Sequence, residues 1–315
     1  MSVLVACDSV EPAPAGFARV LAGLLGSRVV LVNVRSADGL VGGEGFDEHV
    51  PLLGARVERA SSAAAGLQRL IASERPVVTV LGSSRDAPHG RVRVGTTIER
   101  VLHGAPSPVA VVPRGRAERG LSSVAVGLLP NPDSLLALRF AAWLARLAAV
   151  PLLVLAVLRR SPSAADAAAY AACVAPAFSL SGSPARILRT AIRSAAQTPA
   201  APHAPVADTR PATGAPDLPL VEPVVLIGDP ADALVRFSSR VGLLVLGSRS
   251  YGPGGVVLPG GVARRVLREA SCPVLLVPRA SVPAPMAGEA SPFGLVSQGA
   301  ILQRAILPVP GAAGR

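Results

Sequence analysis

The sequence contains no lysine, and all 31 of its basic residues are arginine. This absence excludes three large classes of protein. A Walker A loop needs a lysine on the β- and γ-phosphates, a protein kinase needs one on a strand, and a pyridoxal-phosphate enzyme needs one for its Schiff base. The chain belongs to none of these classes.

Aromatic residues and cysteines are also scarce. Aromatics make up 3% of the chain, which leaves almost no platform for stacking single-stranded bases. Three cysteines, Cys7, Cys173 and Cys272, lie far apart in apolar or alanine-rich contexts, and the histidines form no HxxxH pair. These patterns predict no metal site, and cysteines that are buried and reduced in a cytoplasmic protein. A GxSxG nucleophile motif is absent as well.

The net charge is +11 and the isoelectric point is near 11.3, values that are typical of nucleic-acid-binding proteins. The arginines, however, are scattered over predicted helices and loops, and the densest cluster is Arg114, Arg116 and Arg119. No predicted helix carries a continuous basic stripe. The pattern therefore favours a solvated surface with anion contacts over nucleic-acid binding.

One apolar run, residues 140–158, is long enough to be considered as a membrane span. It carries Arg146 and then Pro151, which favours a helix followed by a buried strand. The first residues, MSVLVACDSVEP, have no basic region and turn acidic at Asp8, unlike a signal peptide. We expect a cytoplasmic protein without a membrane segment.

The chain repeats itself at an offset of 165 residues. Residues 81–114 overlay residues 246–279 without a gap, and 16 of the 34 positions are identical. This period is too long for a solenoid unit and has the size of a domain. The sequence therefore predicts two copies of one domain.

Both copies alternate strand and helix patterns, which predicts an α/β fold with right-handed crossovers and a parallel sheet. Because hydrophobic residues make up 50% of the chain and aromatics only 3%, the cores must be filled by Val, Leu and Ala. Ser61 or Ser62 is expected to cap one helix and Asp229 another. Predicted strands cover residues 3–7, 29–34, 52–57, 76–81, 108–112, 124–129, 151–158, 223–227, 243–246 and 273–277. Predicted helices cover 17–25, 60–72, 95–102, 135–147, 230–239 and 261–269.

The copies differ between their second and third strands. The first copy has only about twenty residues there, too few for a full crossover helix, whereas the second has more than sixty. We expect a first domain at 1–115 and a second at 120–280, with a disordered insertion at 196–220 and a disordered tail at 281–315.

A candidate anion site lies in the repeated segment, where Gly82 ends a strand and Gly95 with Thr96 begins a helix. Glycine allows close backbone approach, and the N–H groups at a helix start suit a phosphate. Spacing alone leaves a second interpretation open, in which Thr96 simply caps the helix.

Further residues complete a known signature. Asp8 follows the first predicted strand, and the pattern Gly82-x2-Arg85-x9-Gly95-Thr96 is followed by APSPVAVVP, which enters the last strand. Together they resemble the universal stress protein family, here as a tandem pair. The resemblance implies two tandem five-stranded parallel sheets of the Rossmann-like, adenine nucleotide α-hydrolase-like type, packed as an internal pseudo-dimer through their last strands.

In one branch of the family the resemblance also implies ATP binding, with Mg²⁺ as a companion ion. Arg85 departs from the pattern, because a glycine stands there in that branch; Arg can clamp a phosphate, but its bulk can block the backbone. The positions carried over are Asp8 for adenosine, the Val34 backbone for adenine, and Gly82, Gly95, Thr96 and Thr97 for the phosphates, with Arg85 beside them.

The second copy departs further from the pattern. Leu129 stands in place of the aspartate, Ser250 in place of the second glycine, and Gly261 in place of the Ser or Thr. Gly247 and Gly260 still keep the backbone open, so Gly247, Ser250, Gly260 and Gly261 form a weaker candidate site.

Two functions follow as hypotheses. The first is a cytoplasmic stress-response protein that binds ATP or another adenine nucleotide in its first domain, with slow or no hydrolysis, because no catalytic base is evident beyond Asp8. The second is a pseudo-dimeric interaction or regulatory module whose sites have lost their ligand. Both include pairing of the last strands within the chain, since exposed apolar edges aggregate, and both leave a homo-oligomer open.

Overall fold

The computed structural model describes residues 1–6, 12–36, 55–116, 120–129, 132–158, 221–249 and 252–279. These ranges contain ten strands and six helices. The strands are β1 (Ser2–Ala6), β2 (Arg28–Ser36), β3 (Arg56–Ala60), β4 (Val78–Gly82), β5 (Val109–Val112), β6 (Val124–Leu128), β7 (Leu152–Leu158), β8 (Val221–Ile227), β9 (Leu243–Gly247) and β10 (Val274–Val277). The helices are α1 (Ala13–Leu24), α2 (Ala63–Glu74), α3 (Thr96–Leu102), α4 (Pro132–Ala148), α5 (Pro230–Ser238) and α6 (Gly261–Glu269).

The α/β class is confirmed, but the two expected tandem five-stranded sheets are joined into one. The described strands form one sheet in the order β3-β2-β1-β4-β5-β10-β9-β6-β7-β8. Every neighbouring pair is parallel except β5 and β10, which are antiparallel. Each half repeats the same strand order outward from this junction, so the two halves are related by a pseudo-two-fold axis.

The junction between β5 and β10 explains why the halves fuse. All four residues of β5 are fully buried, and those of β10 are at most 1% exposed. Ala110 lies opposite Leu275, with Val111 opposite Val274 on one side. Because each strand would otherwise be an exposed apolar edge, pairing them buries both. The predicted pairing of the last strands within one chain is therefore present.

Helices cover the two faces of this sheet in a regular way. α1 and α4 pack on one face, where Phe17 and Leu21 share a core with Phe140 and Trp143. The rings of Phe140 and Trp143 meet edge to face at 5.5 Å. α2, α3, α5 and α6 cover the other face. Both cores run across the junction, so the halves share their hydrophobic interior.

Several element boundaries differ from the prediction for local reasons. α1 begins at Ala13. Pro14 fits the first helical turn, because N–H groups there have no partner within the helix and the N–H that proline lacks is not missed. Ser62 caps α2 by accepting from the Ala65 N–H at 3.2 Å, and Asp229 caps α5 as expected. The third strand lies at Arg56–Ala60 instead of 52–57, since a polar edge strand gives a weaker apolar signal than the run before it.

The outer strands of the sheet carry residues that oppose further pairing. In β3 the charged Arg56 and Glu58 alternate with Val57, and the Arg69 guanidinium of α2 lies 3.1 Å from the Glu58 carboxylate. β8 contains Pro223, which cannot donate to a neighbouring strand. These features are typical of sheet edges that resist aggregation.

The apolar run at 140–158 is divided between a helix and a buried strand, as the sequence predicts. α4 ends at Ala148, Ala149 has a φ of 51°, and β7 then runs from Leu152 to Leu158. None of the described helices has both the length and the apolar character to cross a bilayer.

Most of the short connection expected between the second and third strands, residues 37–54, lies outside the described residues. The insertion at 196–220 and the tail at 281–315 lie outside them too. Cys7 and Cys173 lie outside them as well. The domain limits 1–115 and 120–280 stay predictions.

The buried junction makes Leu275 sensitive to charge. We expect Leu275→Asp to lower the free energy of unfolding by about 4 kcal/mol or more, because the carboxylate would be buried in an apolar strand pair. Val57→Asp in β3, where the side chain is 42% exposed, should cost about 1 kcal/mol or less. Urea unfolding of the full chain measures both. If both variants lost the same free energy of unfolding, the junction would not be the main buried contact between the halves.

Cys272 lies in the core at 1% exposure, and burial raises the pKa of its thiol to about 12. The nucleophile is the thiolate, so the folded protein should resist iodoacetamide at Cys272 up to mildly alkaline pH. Mass spectrometry should find this cysteine unmodified in native protein and alkylated after guanidinium unfolding. Rapid alkylation of the native chain would show that the site opens.

Candidate functional site

The predicted site lies at the carboxyl edge of the first half-sheet. β4 ends at Gly82, and α3 begins at Thr96 after Gly95. β1 lies between β2 and β4 and runs parallel to both, so the chain leaves β1 after Ala6 at the same edge. This is the switch point of the strand order, where parallel sheets bind ligands. Asp8, two residues beyond Ala6, lies outside the described residues.

The segment 83–95, which we term loop 1, is held by the hydroxyl of Ser83. Ser83 Oγ donates to the Val112 carbonyl at 2.7 Å and accepts from the Arg93 N–H at 3.3 Å. The Ser84 N–H donates to the Arg93 carbonyl at 2.8 Å. Loop 1 is thus a small hydrogen-bonded hairpin fixed to the end of β5.

Arg114 holds the tip of loop 1. Its guanidinium donates to the carbonyl oxygens of Arg85 and Ala87, the latter at 3.2 Å. Its backbone accepts from the Gly90 N–H at 2.8 Å and donates to the Arg91 carbonyl at 3.1 Å. Arg114, two residues after β5, therefore stabilises the conformation of loop 1.

The second copy repeats this arrangement in the segment 248–260, which we term loop 2 and of which the structure describes all but residues 250 and 251. Ser248 Oγ donates to the Val277 carbonyl at 2.8 Å and accepts from the Leu258 N–H at 3.1 Å. The Arg279 guanidinium donates to the Gly252 carbonyl, and its backbone N–H donates to the Val256 carbonyl at 3.1 Å. Each bond has its counterpart in loop 1 at an offset of 165.

Sequence reasoning missed these holding residues. Ser83 with Ser248, and Arg114 with Arg279, are identical pairs in the overlay of the two copies. This identity between the copies could have pointed to them, and it marks the residues that shape the loop. Ligand chemistry has to come from positions that the loop presents.

The space around the motif glycines differs from one to the next. A Cβ on Gly82 would lie 2.9 Å from Cγ of Pro14, so the glycine lets α1 approach β4. A Cβ on Gly95 would lie 3.4 Å from the Ser84 hydroxyl oxygen. In loop 2, a Cβ on Gly260 would lie 3.6 Å from Cβ of Arg249, which is an ordinary contact. Both helix-start glycines would therefore accept a Cβ at ordinary contact distance.

The interpretation of Thr96 as a cap is wrong, because Gly95 occupies the N-cap position and Thr96 is the first residue of α3. α3 and α6 begin without a side-chain cap within the described chain, whereas Ser62 and Asp229 cap α2 and α5. Uncapped N–H groups in the first turn need other partners. The side chains of Thr96 and Thr97 are exposed beside them.

Loop 1 also carries a charged pair that loop 2 lacks. Arg93 lies 3.2 Å from the Asp86 carboxylate. A hydrogen bond from Ser84, and then one from Arg93, holds the pKa of Asp86 below its usual value. Because the folded-state pKa is depressed, the contact is present at neutral pH and is lost only as the pH falls through that value. Loop 2 has Leu258 in place of Arg93.

Val34 lies inside β2, two residues before its end, opposite Glu58 of β3. On the other side, the pairing with β1 stops at Ala6 opposite Val32. The backbone of Val34 therefore adjoins the place where the chain leaves β1 toward Asp8. The structure thus brings Val34, Gly82, Gly95 and Thr96 to one edge of the sheet.

The strand register supports the equivalence of Leu129 with Asp8. Val3 pairs with Val78 in the first half, and Val124 pairs with Leu243 in the second, which sets an offset of 121 residues between β1 and β6. Leu129 is 55% exposed at that position. Gly247 ends β9 and Gly261 opens α6, while Ser250 lies outside the described residues.

The described residues contain no group of three or more His, Cys, Asp or Glu side chains that could hold a metal ion. Arg85 is exposed on loop 1. The edge of the first copy is thus a backbone-rich site flanked by arginine.

Comparisons with known proteins agree with this architecture. Residues 122–278 match the model of the universal stress protein family. A universal stress protein from Archaeoglobus fulgidus DSM 4304 superimposes with a TM-score of 0.54 at 16% identity, covering 88% of this chain and 96% of that one. A protein of unknown function from Pseudomonas aeruginosa PAO1 gives a TM-score of 0.55 at 15% identity, covering 90% and 95%.

A third structure, described as a universal stress protein from P. aeruginosa UCBPP-PA14, has a TM-score of 0.54 at 14% identity and covers 88% of this chain and 92% of that one. At these identities the structures share the fold. No protein among the curated sequences matched significantly. The family match to the second copy, together with the same strand order in the first, places this chain in the universal stress protein family.

Proposed function

We propose that the chain is a stress-response protein that binds an adenine nucleotide, such as ATP, at the edge of its first copy. The observation that carries this proposal is the geometry of loop 1. Ser83 fixes the loop to the end of β5 and Arg114 fixes its tip, and the loop leads into a helix whose first turn has no side-chain cap. Such N–H groups suit a phosphate.

The roles proposed for the individual residues follow from their places at this edge. The phosphates would meet the backbone of Gly95 and the hydroxyls of Thr96 and Thr97, and Arg85 could add a charged donor from the loop. Val34 offers backbone near the β1 end for the adenine, and Asp8 the carboxylate for the ribose hydroxyls of adenosine.

A Mg²⁺ ion would depend on the nucleotide for its ligands. It prefers phosphate, hydroxyl and carboxylate oxygens and keeps several waters. Because the described residues hold no acidic cluster of their own, the ion would enter with the phosphates. We assign no catalytic residue, because no candidate base other than Asp8 is evident. A bound nucleotide would then regulate the protein and would not be hydrolysed rapidly.

The second copy is proposed as a structural partner. Leu129 puts an exposed apolar side chain where the first copy has Asp8, and Gly261 removes the hydroxyl that Thr96 supplies. A leucine cannot hydrogen-bond a ribose. Weak binding at Gly247, Ser250, Gly260 and Gly261 is therefore not needed for the function.

Calorimetric titration of the full chain with ATP, with and without Mg²⁺, tests this proposal. We expect saturable binding near one site per chain. Asp8→Ala and Gly95→Val should each weaken it at least about tenfold, because each removes a contact or blocks the backbone.

Gly260→Val is the matched control, since it makes the same change at the equivalent position of the second copy. Gly260 has an ordinary φ of −76° and a Cβ there would meet Cβ of Arg249 only at 3.6 Å, so this change does not strain loop 2. It should therefore leave the ATP affinity within about twofold. Loss of binding in Gly260→Val but not in Gly95→Val would move the site to the second copy, and the absence of heat or thermal shift with any adenine nucleotide would refute the proposal.

A second candidate is an interaction module that binds no nucleotide. Arg85 in place of the family's glycine favours it, because the side chain can fill the space above the loop. The same titration separates the two functions. A cytoplasmic location, homo-oligomer formation and the low expectation for nucleic-acid binding stay predictions.

A further inference from the structure

The two copies exchange a symmetric pair of hydrogen bonds through loops 1 and 2. The Val92 N–H in loop 1 donates to the Ala270 carbonyl of the second copy at 2.7 Å. The Val257 N–H in loop 2 donates to the Ala105 carbonyl of the first copy at 2.8 Å. The donors are 165 residues apart, and so are the acceptors, so the exchange follows the pseudo-two-fold axis.

These bonds are shielded from water. Val92 and Val257 are both fully buried, and Ala105 and Ala270 are at most 2% exposed. All four belong to one apolar core that spans the junction. A buried backbone N–H is costly to leave without a partner, so the opposite copy fixes each loop at this valine.

Further contacts reinforce the crossing. The Arg91 guanidinium donates to the Glu269 carbonyl at 2.8 Å. The Gly104 N–H donates to the Val257 carbonyl at 3.0 Å. Arg264 of α6 lies 2.9 Å from Nε2 of His103, which follows α3.

The contacts form a closed ring. Loop 1 is bonded to Ala270, which follows the end of α6, and α6 begins where loop 2 ends at Gly260. Loop 2 is bonded to Ala105, beyond the end of α3, and α3 begins where loop 1 ends at Gly95. A change in either loop therefore has a hydrogen-bonded path to the other.

The ring is not fully symmetric. Arg91 of loop 1 corresponds to Val256 of loop 2, which has no side-chain donor. The Arg91 guanidinium thus ties loop 1, in the copy proposed to bind nucleotide, to the end of α6 in the other copy, and Val256 supplies no counterpart to it.

From these contacts we infer that the second copy positions the ligand loop of the first, and that Arg91 is a positioning residue acting through the Glu269 carbonyl. The identity of the ligand rests on the proposed function, whereas the coupling of the loops rests on the contacts alone. The second copy keeps the shape of loop 2 because that shape completes loop 1.

Hydrogen exchange of the full chain without nucleotide tests the coupling first. In Arg91→Ala, the amides of both Val92 and Val257 should exchange about fivefold faster, the factor for one lost hydrogen bond. Arg91→Lys keeps the charge and a donor and should restore most of the protection. Arg240→Ala, in the turn after α5, removes the same charge elsewhere and should leave both amides unchanged.

A variant in the second copy tests the coupling in the other direction. Gly255 has a φ of 76°, and a Cβ there would meet no atom within 4 Å, so Gly255→Ala strains loop 2 through its backbone alone. We expect faster exchange at Val92 in loop 1 as well as at Val257. Faster exchange confined to the mutated loop, in either variant, would overturn the inference.

ATP titration of the same proteins separates this inference from the proposed function. If wild-type protein binds, Arg91→Ala should weaken binding about three- to tenfold with little change in melting temperature, and Arg91→Lys should recover it. Unchanged affinity in Arg91→Ala would overturn the positioning role. Coupled exchange in a chain that binds no nucleotide would support the joined loops and refute only the proposed ligand.

Discussion

The antiparallel pairing of β5 with β10 is the contact on which the remaining structure depends. It joins two parallel half-sheets into one and lets each hydrophobic core continue from one half into the other. It also brings the carboxyl-terminal ends of α3 and α6 beside the opposite loops, so that Val92 and Val257 can bond across the axis. Without the junction, each half would expose an apolar strand, and the N–H of Val92 or Val257 would lose its partner.

Much of this fold could be predicted from the sequence, because the relevant signals are local or repeated. The apolar runs predicted the bounds of β4, β5, β9 and β10 to within two residues, and the Asp229-Pro230 pair marked the start of α5. The overlay of residues 81–114 on 246–279 predicted the tandem organisation. β3 was misplaced because its Arg and Glu residues suit a sheet edge and carry no apolar periodicity.

The site was predictable only in part. Spacing placed Gly82, Gly95 and Thr96 at one edge, but it could not show that Pro14 packs against Gly82 or that Gly95 caps α3. Nor could it assign Ser83 and Arg114 to holding the loop, since a serine and an arginine near a phosphate motif suggest ligand contacts first. The crossing bonds join residues more than 150 positions apart through their backbones, and backbone bonds leave no side-chain pattern in the sequence.

Because β5 and β10 belong to the same polypeptide, their encounter is an intramolecular step with an effective concentration set by the connecting chain. A dimer of separate domains dissociates on dilution, whereas this interface keeps its occupancy at any protein concentration. Covalent linkage also assigns the two halves to fixed positions. One half can therefore lose ligand chemistry, as Leu129 and Gly261 suggest, without ever being displaced by a second copy of its partner.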